Sequence, residues 1–419
     1  MPLQCLTGFH DIYGDKARLF NKAESTAREV FRNFGFEEIK TPILEKKELF
    51  ARALGSETDV VQKEMYGFLD RSKVSVALRP EGTAGVVRAY LENNFDKTKG
   101  LAKFYYMGPM FRSERPQAGR LRQFHQIGAE QLGTDSPYAD AETIHCLAVF
   151  LERVGVGDYK IKLNNLGTFE ERDIYSKAIH QYLMDHHDLL CEDCKSRYRR
   201  KNFLRILDCK NEVCRNVIRK GPVISDILTT KSRDYFTQVK MALDGAHIKY
   251  NEDPFLIRGL DYYTKTVFEV THPKLGAQDA VAAGGRYDGL IESFGGPKAG
   301  AVGFALGVER LLMCMVGAYC NTPLHENSFF IVALGEAAFR EAFKLLSELR
   351  QKGVKASMDF STKSMKSQMR SADKSQSRYA IILGEDELKK KSVVLKDMRD
   401  GSQKELSLDN LITTLKVLV

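Results

Sequence analysis

Four arginine-bearing segments carry the residue types that phosphate chemistry needs. The first is Phe111-Arg112-Ser113-Glu114-Arg115, followed shortly by Arg120-Leu121-Arg122-Gln123-Phe124. An arginine at a strand end offers a fixed guanidinium, which makes two parallel bonds to phosphate oxygens and stays charged. Glu114 can accept from an exocyclic amine, although the same residues also suit a charged, solvated hairpin tip. The second segment, Phe255-Leu256-Ile257-Arg258-Gly259-Leu260-Asp261-Tyr262-Tyr263-Thr264, sets Arg258 in apolar surroundings. A charge there requires an anionic partner, either a ligand or a protein carboxylate. The third, Ala282-Ala283-Gly284-Gly285-Arg286-Tyr287-Asp288-Gly289, is a small-residue stretch that lets a ligand approach the backbone. It lacks the Lys-Ser/Thr of a Walker A loop. The fourth, Gly303-Phe304-Ala305-Leu306-Gly307-Val308-Glu309-Arg310, leads into an apolar helix. Arg310 reads there as an anion ligand or, more simply, as half of an ion pair with Glu309 or a neighbour.

A different chemistry is written in Cys191-x2-Cys194-x14-Cys209-x4-Cys214. This spacing suits a zinc site, and the adjacent Lys195, Arg197, Arg199, Arg200, Lys201, Arg205 and Lys210 favour thiolates. Plain reduced thiols in a helical segment are the alternative. Eight cysteines in 419 residues are too few for a disulfide scaffold, so the chain suits a reducing, cytoplasmic setting. The N-terminus lacks an apolar signal-like stretch and carries Asp11 and Asp15 early, and no apolar run reaches the roughly 18 residues of a membrane span. With 43% hydrophobic and 28% charged residues, a largely disordered chain is excluded. The net charge of +8 permits a polyanionic partner without requiring one.

The elements that must position these residues follow from periodicity. Leu19, Phe20, Ala23, Ala27, Val30 and Phe31 form a helical stripe over Asp15–Phe34, ended by Gly35 and followed by a short strand at Phe36–Ile39 and by Pro42. Gly82 to Leu91 reads as a helix. Lys103–Phe111 and Arg122–Leu132 read as strands of a long antiparallel hairpin with a charged tip. Residues from about Thr168 to Lys249 are helix-rich, with Glu171–Met184 and Ser232–Ala246 as the clearest runs. Strand character returns at Val267–Thr271 and Ala280–Ala283, so the middle is an insertion into an antiparallel α+β core. After Asn321-Thr322-Pro323, strands and helices alternate: Phe329–Leu334, Ala337–Gln351, Lys355–Met358, Lys363–Ser377 and Tyr379–Leu383. The Lys389–Lys391 run reads as a solvated turn.

Taken in order along one chain, these segments resemble the class II aminoacyl-tRNA synthetases, and among them the histidyl-tRNA synthetase family. The Asp15–Phe34 helix with Pro42 corresponds to motif 1, Phe111 through Glu130 to motif 2, and Gly303 to Arg310 to motif 3. Leu256 to Tyr263 and Ala283 to Gly289 look like the family's two histidine-specific peptides, and Leu78-Arg79-Pro80-Glu81-Gly82-Thr83 also matches. The resemblance spans essentially the whole chain. It implies an antiparallel-sheet catalytic core with a helical insertion and a C-terminal α/β anticodon-binding domain. The expected boundaries are 1–167 and 251–322 for the two parts of the core, 168–250 for the insertion and 327–419 for the last domain.

The resemblance further implies ATP with Mg²⁺, L-histidine and tRNA(His) as partners, a histidyl-adenylate intermediate, and a homodimer with motif 1 at its interface. Arg112 and Arg258 are then the catalytic arginines. Arg112, Glu114, Phe124 and Arg310 bind ATP; Glu81, Thr83, Gln126, Glu130, Arg258, Tyr262 and Tyr263 bind histidine. A buried carboxylate and a phenol suit the two imidazole nitrogens, because a ligand lacking those nitrogens would leave both unpaired. Arg115, Arg120, Lys363, Lys366 and Arg370 are candidate tRNA contacts, and Cys191, Cys194, Cys209 and Cys214 candidate ligands of a structural Zn²⁺. Leu121 departs from the family, which often has an aromatic residue there. A synthetase-like regulatory protein of histidine biosynthesis is the alternative, but such proteins typically lack the anticodon domain and part of the catalytic set. A synthetase for proline, threonine or glycine is opposed by the two histidine peptides, and an RNA-binding protein without activity has no need of Glu81, Glu130 and Tyr263 together.

Overall fold

The computed structural model describes residues 3–55, 58, 60–117, 119–258, 262–276, 279–315, 328–361 and 364–417. Contacts divide the chain into two compact units, Met1–Ala318 and Tyr319–Val419. The expected linker at Asn321-Thr322-Pro323 lies outside the described residues.

The first unit is built on strands β1 (Glu37–Glu38), β2 (Leu44–Lys46), β3 (Gly67–Leu69), β4 (Ser75–Leu78), β5 (Ala102–Phe111), β6 (Gln123–Leu132), β7 (Lys160–Asn165), β8 (Asn251–Glu252), β9 (Thr264–Thr271), β10 (Ala280–Arg286) and β11 (Ala301–Gly307). Eight of them form one sheet in the order β1-β5-β6-β11-β10-β9-β7-β8, and β2-β4-β3 form a second. Every pairing from β5 across to β7 is antiparallel; the two edge strands β1 and β8 pair in parallel.

Side chains alternate across a strand, and here the alternation divides labour. Ile127, Ala129, Phe268, Val270, Phe304 and Leu306 face one side, under the helices Gly14–Asn33 and Pro137–Val154. The first helix buries Phe20, Ala23, Ala27, Val30 and Phe31, the stripe expected from its sequence. The opposite face carries Tyr106, Glu130 and the helix Thr83–Glu92, and it is this face that holds the cleft.

One buried ion pair ties the sheet to its covering helix. Arg286 and Asp140 are both fully buried, with Nη2 and Nε donating to Oδ1 at 2.6 and 2.9 Å. The remaining guanidinium protons go to the carbonyls of Thr134 (2.7 Å) and Ser136 (3.1 Å) and to Asp288 (2.9 Å). The second Asp140 oxygen accepts from the Tyr235 hydroxyl at 3.0 Å. A β-bulge between Gly285 and Arg286 directs this arginine inward.

The helix-rich middle contains helices Phe169–Asp185, Glu192–Arg199, Glu212–Ile218 and Thr230–Gly245. Two of these begin before their apolar stripes, because Thr168 and Thr229 cap them through their side chains. The Glu171 carboxylate accepts from the amides of Thr168 and Thr229 and from the Ser232 hydroxyl, each at 2.7 Å, so one side chain ties together the starts of the segment's first and last long helices.

The second unit has strands β12 (Phe329–Ala333), β13 (Ala356–Met358), β14 (Tyr379–Leu383), β15 (Ser392–Asp397) and β16 (Gln403–Ser407) in the order β13-β12-β14-β15-β16. The helix Glu336–Gln351 packs Leu345, Leu346 and Leu349 into its core. The helix Met365–Lys374 is shorter than expected; the Gln368 side chain pins its inner face to both the amide and the carbonyl of Ala333 (3.0 and 2.8 Å). The expected turn at Lys389–Lys391 is instead the end of the short helix Glu385–Lys390. No described helix is long and apolar enough to cross a membrane.

Removing one partner of a buried pair leaves the other charge stranded. Asp140→Ala is therefore expected to cost about 3–5 kcal/mol in chemical denaturation of the first unit, and a loss under about 1 kcal/mol would remove Arg286–Asp140 from its structural role.

Candidate active site

Glu130 sits at the floor of a cleft of about 1150 Å³ on the open face of the large sheet. It is 1% exposed and projects from the middle of β6, opposite Gly303 of β11. A Cβ on Gly303 would lie 1.6 Å from Glu130 Oε2, so this position must be glycine for the carboxyl to fit. Thr83 Oγ1 donates to Oε1 at 2.7 Å and the Tyr287 hydroxyl to Oε2 at 2.5 Å. Burial pushes the Glu130 carboxyl up to about 8, helped by the nearby Glu81 and opposed by its hydroxyl donors.

Glu81 is the second buried carboxylate. It accepts from the amides of Thr83 (2.7 Å) and Ala84 (3.0 Å), closing the start of the helix Thr83–Glu92. Burial raises its pKa too, and those amides counteract. Tyr262 and Tyr263 stand beside them, ring centroids 4.6 Å apart, and Tyr262 is edge-on to Tyr287. Tyr287 also faces this pocket, and burial raises all three phenols.

Two polar atoms in the cleft wall are buried without a partner among the described residues: the Gln126 Oε1 acceptor and the Arg258 Nε donor. Arg258 Nη1 is paired with Glu269 at 2.5 Å. An acceptor, a donor and two carboxylates around one space suit a ligand with an ammonium, a carboxylate and a nitrogen heterocycle.

The other end of the cleft is cationic. Arg112 Nε donates to the Pro80 carbonyl at 3.0 Å, its guanidinium lies 5.3 Å from the Phe124 ring centre, and it makes no ion pair among the described residues. Arg310 Nε donates to the Ala280 carbonyl at 2.7 Å. Its pKa is lowered by burial and then by the positive charge of Arg120, so two cations converge on the same space. That is the electrostatic setting of an anion site. Arg120 is held by Glu114 at 3.0 Å.

All the candidate ATP and histidine residues line this one cleft: Glu81, Thr83, Arg112, Glu114, Phe124, Gln126, Glu130, Arg258, Tyr262, Tyr263 and Arg310. Arg120 and Leu121 line it as well, whereas Arg115 is exposed outside it. Glu309, one of the partners considered for Arg310, is engaged elsewhere: it accepts from the His125 amide (3.1 and 3.0 Å) and ring Nδ1 (2.8 Å). Of the candidates on the second unit, Lys366 and Arg370 are exposed on the helix Met365–Lys374, and Lys363 lies outside the described residues. Tyr287 and Glu269 were missed as site residues. Tyr287 follows Arg286 in a small-residue stretch that marks no role for a phenol, and Glu269 falls within the ordinary alternation of β9.

The antiparallel sheet, with a nucleotide-sized cleft on its open face and arginines at the ends of β5 and β11, is the catalytic architecture of a class II aminoacyl-tRNA synthetase. A family model of histidyl-tRNA synthetase matches residues 8–311, and one of an anticodon binding domain matches residues 328–418. The histidine–tRNA ligase of Thermodesulfovibrio yellowstonii is 45% identical over 417 residues, covering 99% of both chains. That of Halothermothrix orenii is 45% identical over 420 residues, covering 100% of both. The crystal structure of apo histidyl-tRNA synthetase from S. aureus is similar with a TM-score of 0.82 at 34% identity, over 99% of this chain and 100% of that one. The chain belongs to the histidyl-tRNA synthetase family.

The Glu130 carboxyl gives a pH signature. Between its ordinary value of 4.5 and about 8, the native side chain holds a proton that the unfolded chain has released. Stability contributed by this group therefore falls as pH rises through that window. Glu130→Gln is expected to flatten the loss of unliganded stability between pH 6 and 8.5 by about 2 kcal/mol, read from denaturant midpoints at the two pH values. An identical pH slope in both proteins would place the Glu130 proton elsewhere.

Proposed function

We infer that this chain attaches L-histidine to tRNA in two steps, by way of a histidyl-adenylate. The observation that carries the reading is the polarised cleft: two buried carboxylates and three phenols at one end, converging arginines at the other. In the first step the histidine carboxylate oxygen attacks the α-phosphorus of ATP. A new O–P bond forms, and the bond to pyrophosphate breaks. Negative charge spreads over the phosphoryl oxygens, where fixed guanidinium groups stabilise it. Arg112 and Arg258 take this role, and Arg310 holds the outer phosphates. Phe124 stacks on the adenine, whose amine is within the reach of Glu114 once that side chain shares itself with Arg120. ATP enters as its Mg²⁺ complex, a hard cation on phosphate oxygens.

Histidine lies with its ammonium against Glu81, Thr83 and the Gln126 acceptor, and its carboxylate toward Arg258. Its imidazole meets Glu130 and Tyr263, with Tyr262 packed alongside. In the second step the terminal ribose hydroxyl of tRNA(His) attacks the adenylate carbonyl and AMP departs. No side chain need bond covalently to the substrate.

The second unit reads the anticodon arm, with Lys366 and Arg370 among its phosphate contacts, and Lys363 assigned with them by sequence. Arg115 and Arg120 at the hairpin tip meet the acceptor end. The regulatory alternative is set aside by full-length identity of 45% to histidine–tRNA ligases. The protein works as a cytoplasmic homodimer. Ile43, Leu44, Phe68, Leu69 and Val74 are exposed around the β2-β4-β3 sheet, next to the motif 1 proline, and form an apolar surface of the kind that a partner covers. The cofactor set extends to a Zn²⁺ ion on Cys191, Cys194, Cys209 and Cys214.

Histidine-dependent ATP–pyrophosphate exchange tests the whole reading, and exchange with no amino acid, or with proline instead, would overturn it. Arg258→Ala is expected to lower the exchange rate by at least about 100-fold with unchanged circular dichroism; near wild-type exchange would contradict its role. Leu69→Glu is expected to yield monomers in sedimentation velocity, and a wild-type monomer would remove the dimer.

A further inference from the structure

The four cysteines spread over residues 191–214 converge in space. All four Sγ atoms lie within 4.8 Å of one another, and Cys194, Cys209 and Cys214 are buried. A tetrahedral ion with Zn–S bonds of about 2.3 Å holds its sulfurs about 3.8 Å apart. The Cys191 and Cys209 sulfurs are 3.8 Å apart. A disulfide requires about 2 Å, and all four thiols are free. Sulfurs crowded this closely around one point leave room for a single ion rather than an iron–sulfur cluster. Four soft donors in tetrahedral array select zinc among the common divalent ions of cells. The Cys191 amide also donates to Cys214 Sγ at 3.1 Å, the kind of outer bond that steadies a metal thiolate.

The surroundings explain why an ion would be needed. The two helices that carry Cys194 and Cys214, Glu192–Arg199 and Glu212–Ile218, are too short to persist alone. They bury Leu190, Phe203, Ile206 and Ile218 at one edge of an apolar cluster that continues under the cleft to Tyr106 and Tyr287. The outward side of the same substructure forms one wall of the substrate cleft, where Arg197, Arg205, Lys210, Arg215 and Arg219 outnumber Asp193 and Asp208. Arg215 and Arg219 are exposed and make no ion pair among the described residues.

We propose that Cys191, Cys194, Cys209 and Cys214 hold one structural Zn²⁺ ion, and that this ion fixes the basic wall of the insertion against the cleft, where the wall receives the acceptor end of tRNA. The metal assignment stands on the thiol geometry alone; the role of the wall rests on the ligase reading given above.

Metal analysis of the full-length protein purified without chelator is expected to give about one zinc per chain. Less than about a tenth of an equivalent, or iron in its place, would overturn the site. Cobalt reconstitution should give intense thiolate charge-transfer absorption, and its absence counts against four sulfur ligands. Cys194→Ser and Cys214→Ser change thiols that do not line the cleft. Each is expected to lose the ion and raise the KM for tRNA about tenfold, with histidine-dependent pyrophosphate exchange within about threefold of wild type. Equal losses in both assays by a soluble variant would overturn the wall's role. If the variants do not fold, the zinc count and cobalt spectrum of the wild-type protein still decide the site. Absence of exchange in a zinc-loaded wild-type protein would instead sink the ligase reading, so the two failures are distinguishable.

Discussion

A carboxyl buried at the centre of a sheet is the constraint on which the first unit depends. Glu130 occupies a position where an apolar side chain would pack more favourably. Its presence forces other choices. Gly303 must lack a side chain, Thr83 must begin a helix with its hydroxyl aimed inward, and Tyr287 must follow a β-bulge that turns it toward the acid. Four separate segments thus meet at one atom group. The register β5-β6-β11-β10 follows from this requirement as much as from hydrophobic patterning, since slipping β11 by one residue would drive Phe304 into the carboxyl.

The same constraint polarises the cleft. Glu81 adds to the burial that raises the proton affinity of Glu130, so this end of the cleft offers two carboxyl groups as partners to a nitrogen-bearing ligand. Arg310 and Arg120 repel one another at the other end and so attract a polyanion. Arg258 lies between, already paired with Glu269 on one face of its guanidinium and unpartnered at Nε. An arginine held by a carboxylate keeps its rotamer before the ligand arrives, so less orientational freedom is lost on binding. A ligand that is cationic at one end and polyphosphate at the other, joined through a carboxylate, fits this charge sequence along a single axis.

Much of this was legible in the sequence, but unevenly. The stripe of Gly14–Asn33, the hairpin of β5 and β6 and the alternation of the second unit are local patterns, and periodicity exposes them. The site arginines were legible as residue types, yet their type did not separate function from structure. Arg258 and Arg286 both follow apolar or small residues in motif-like stretches. Only tertiary placement distinguishes them: Arg286 spends every donor on Asp140, Asp288 and two carbonyls, while Arg258 bonds Glu269 and keeps a buried Nε without a partner among the described residues. Sequence left Arg310 as an anion ligand or as half of an ion pair with Glu309 or a neighbour; adjacent helical residues point apart, and His125 from β6 engages Glu309. Partners distant in sequence decide these cases, so no local reading reaches them.

The helical insertion is joined to the carboxyl-and-phenol end of the cleft rather than hung from the surface. The starts of its first and last long helices, at Thr168 and Thr229, are gathered by the single Glu171 carboxylate, whose pKa is lowered by the amides and hydroxyls it collects, against the effect of burial. The neighbouring Arg172 donates to the carbonyl of Tyr263, and the Leu166 amide bonds to the Lys265 carbonyl at 2.7 Å. The neck of the insertion therefore grips the chain on both sides of the start of β9, where Tyr263 enters the pocket. A displacement of the insertion must strain these bonds before it can leave the tyrosine unmoved. The neck of the insertion and the backbone of Tyr263 thus share hydrogen bonds, so the same contacts that anchor the insertion also position this tyrosine.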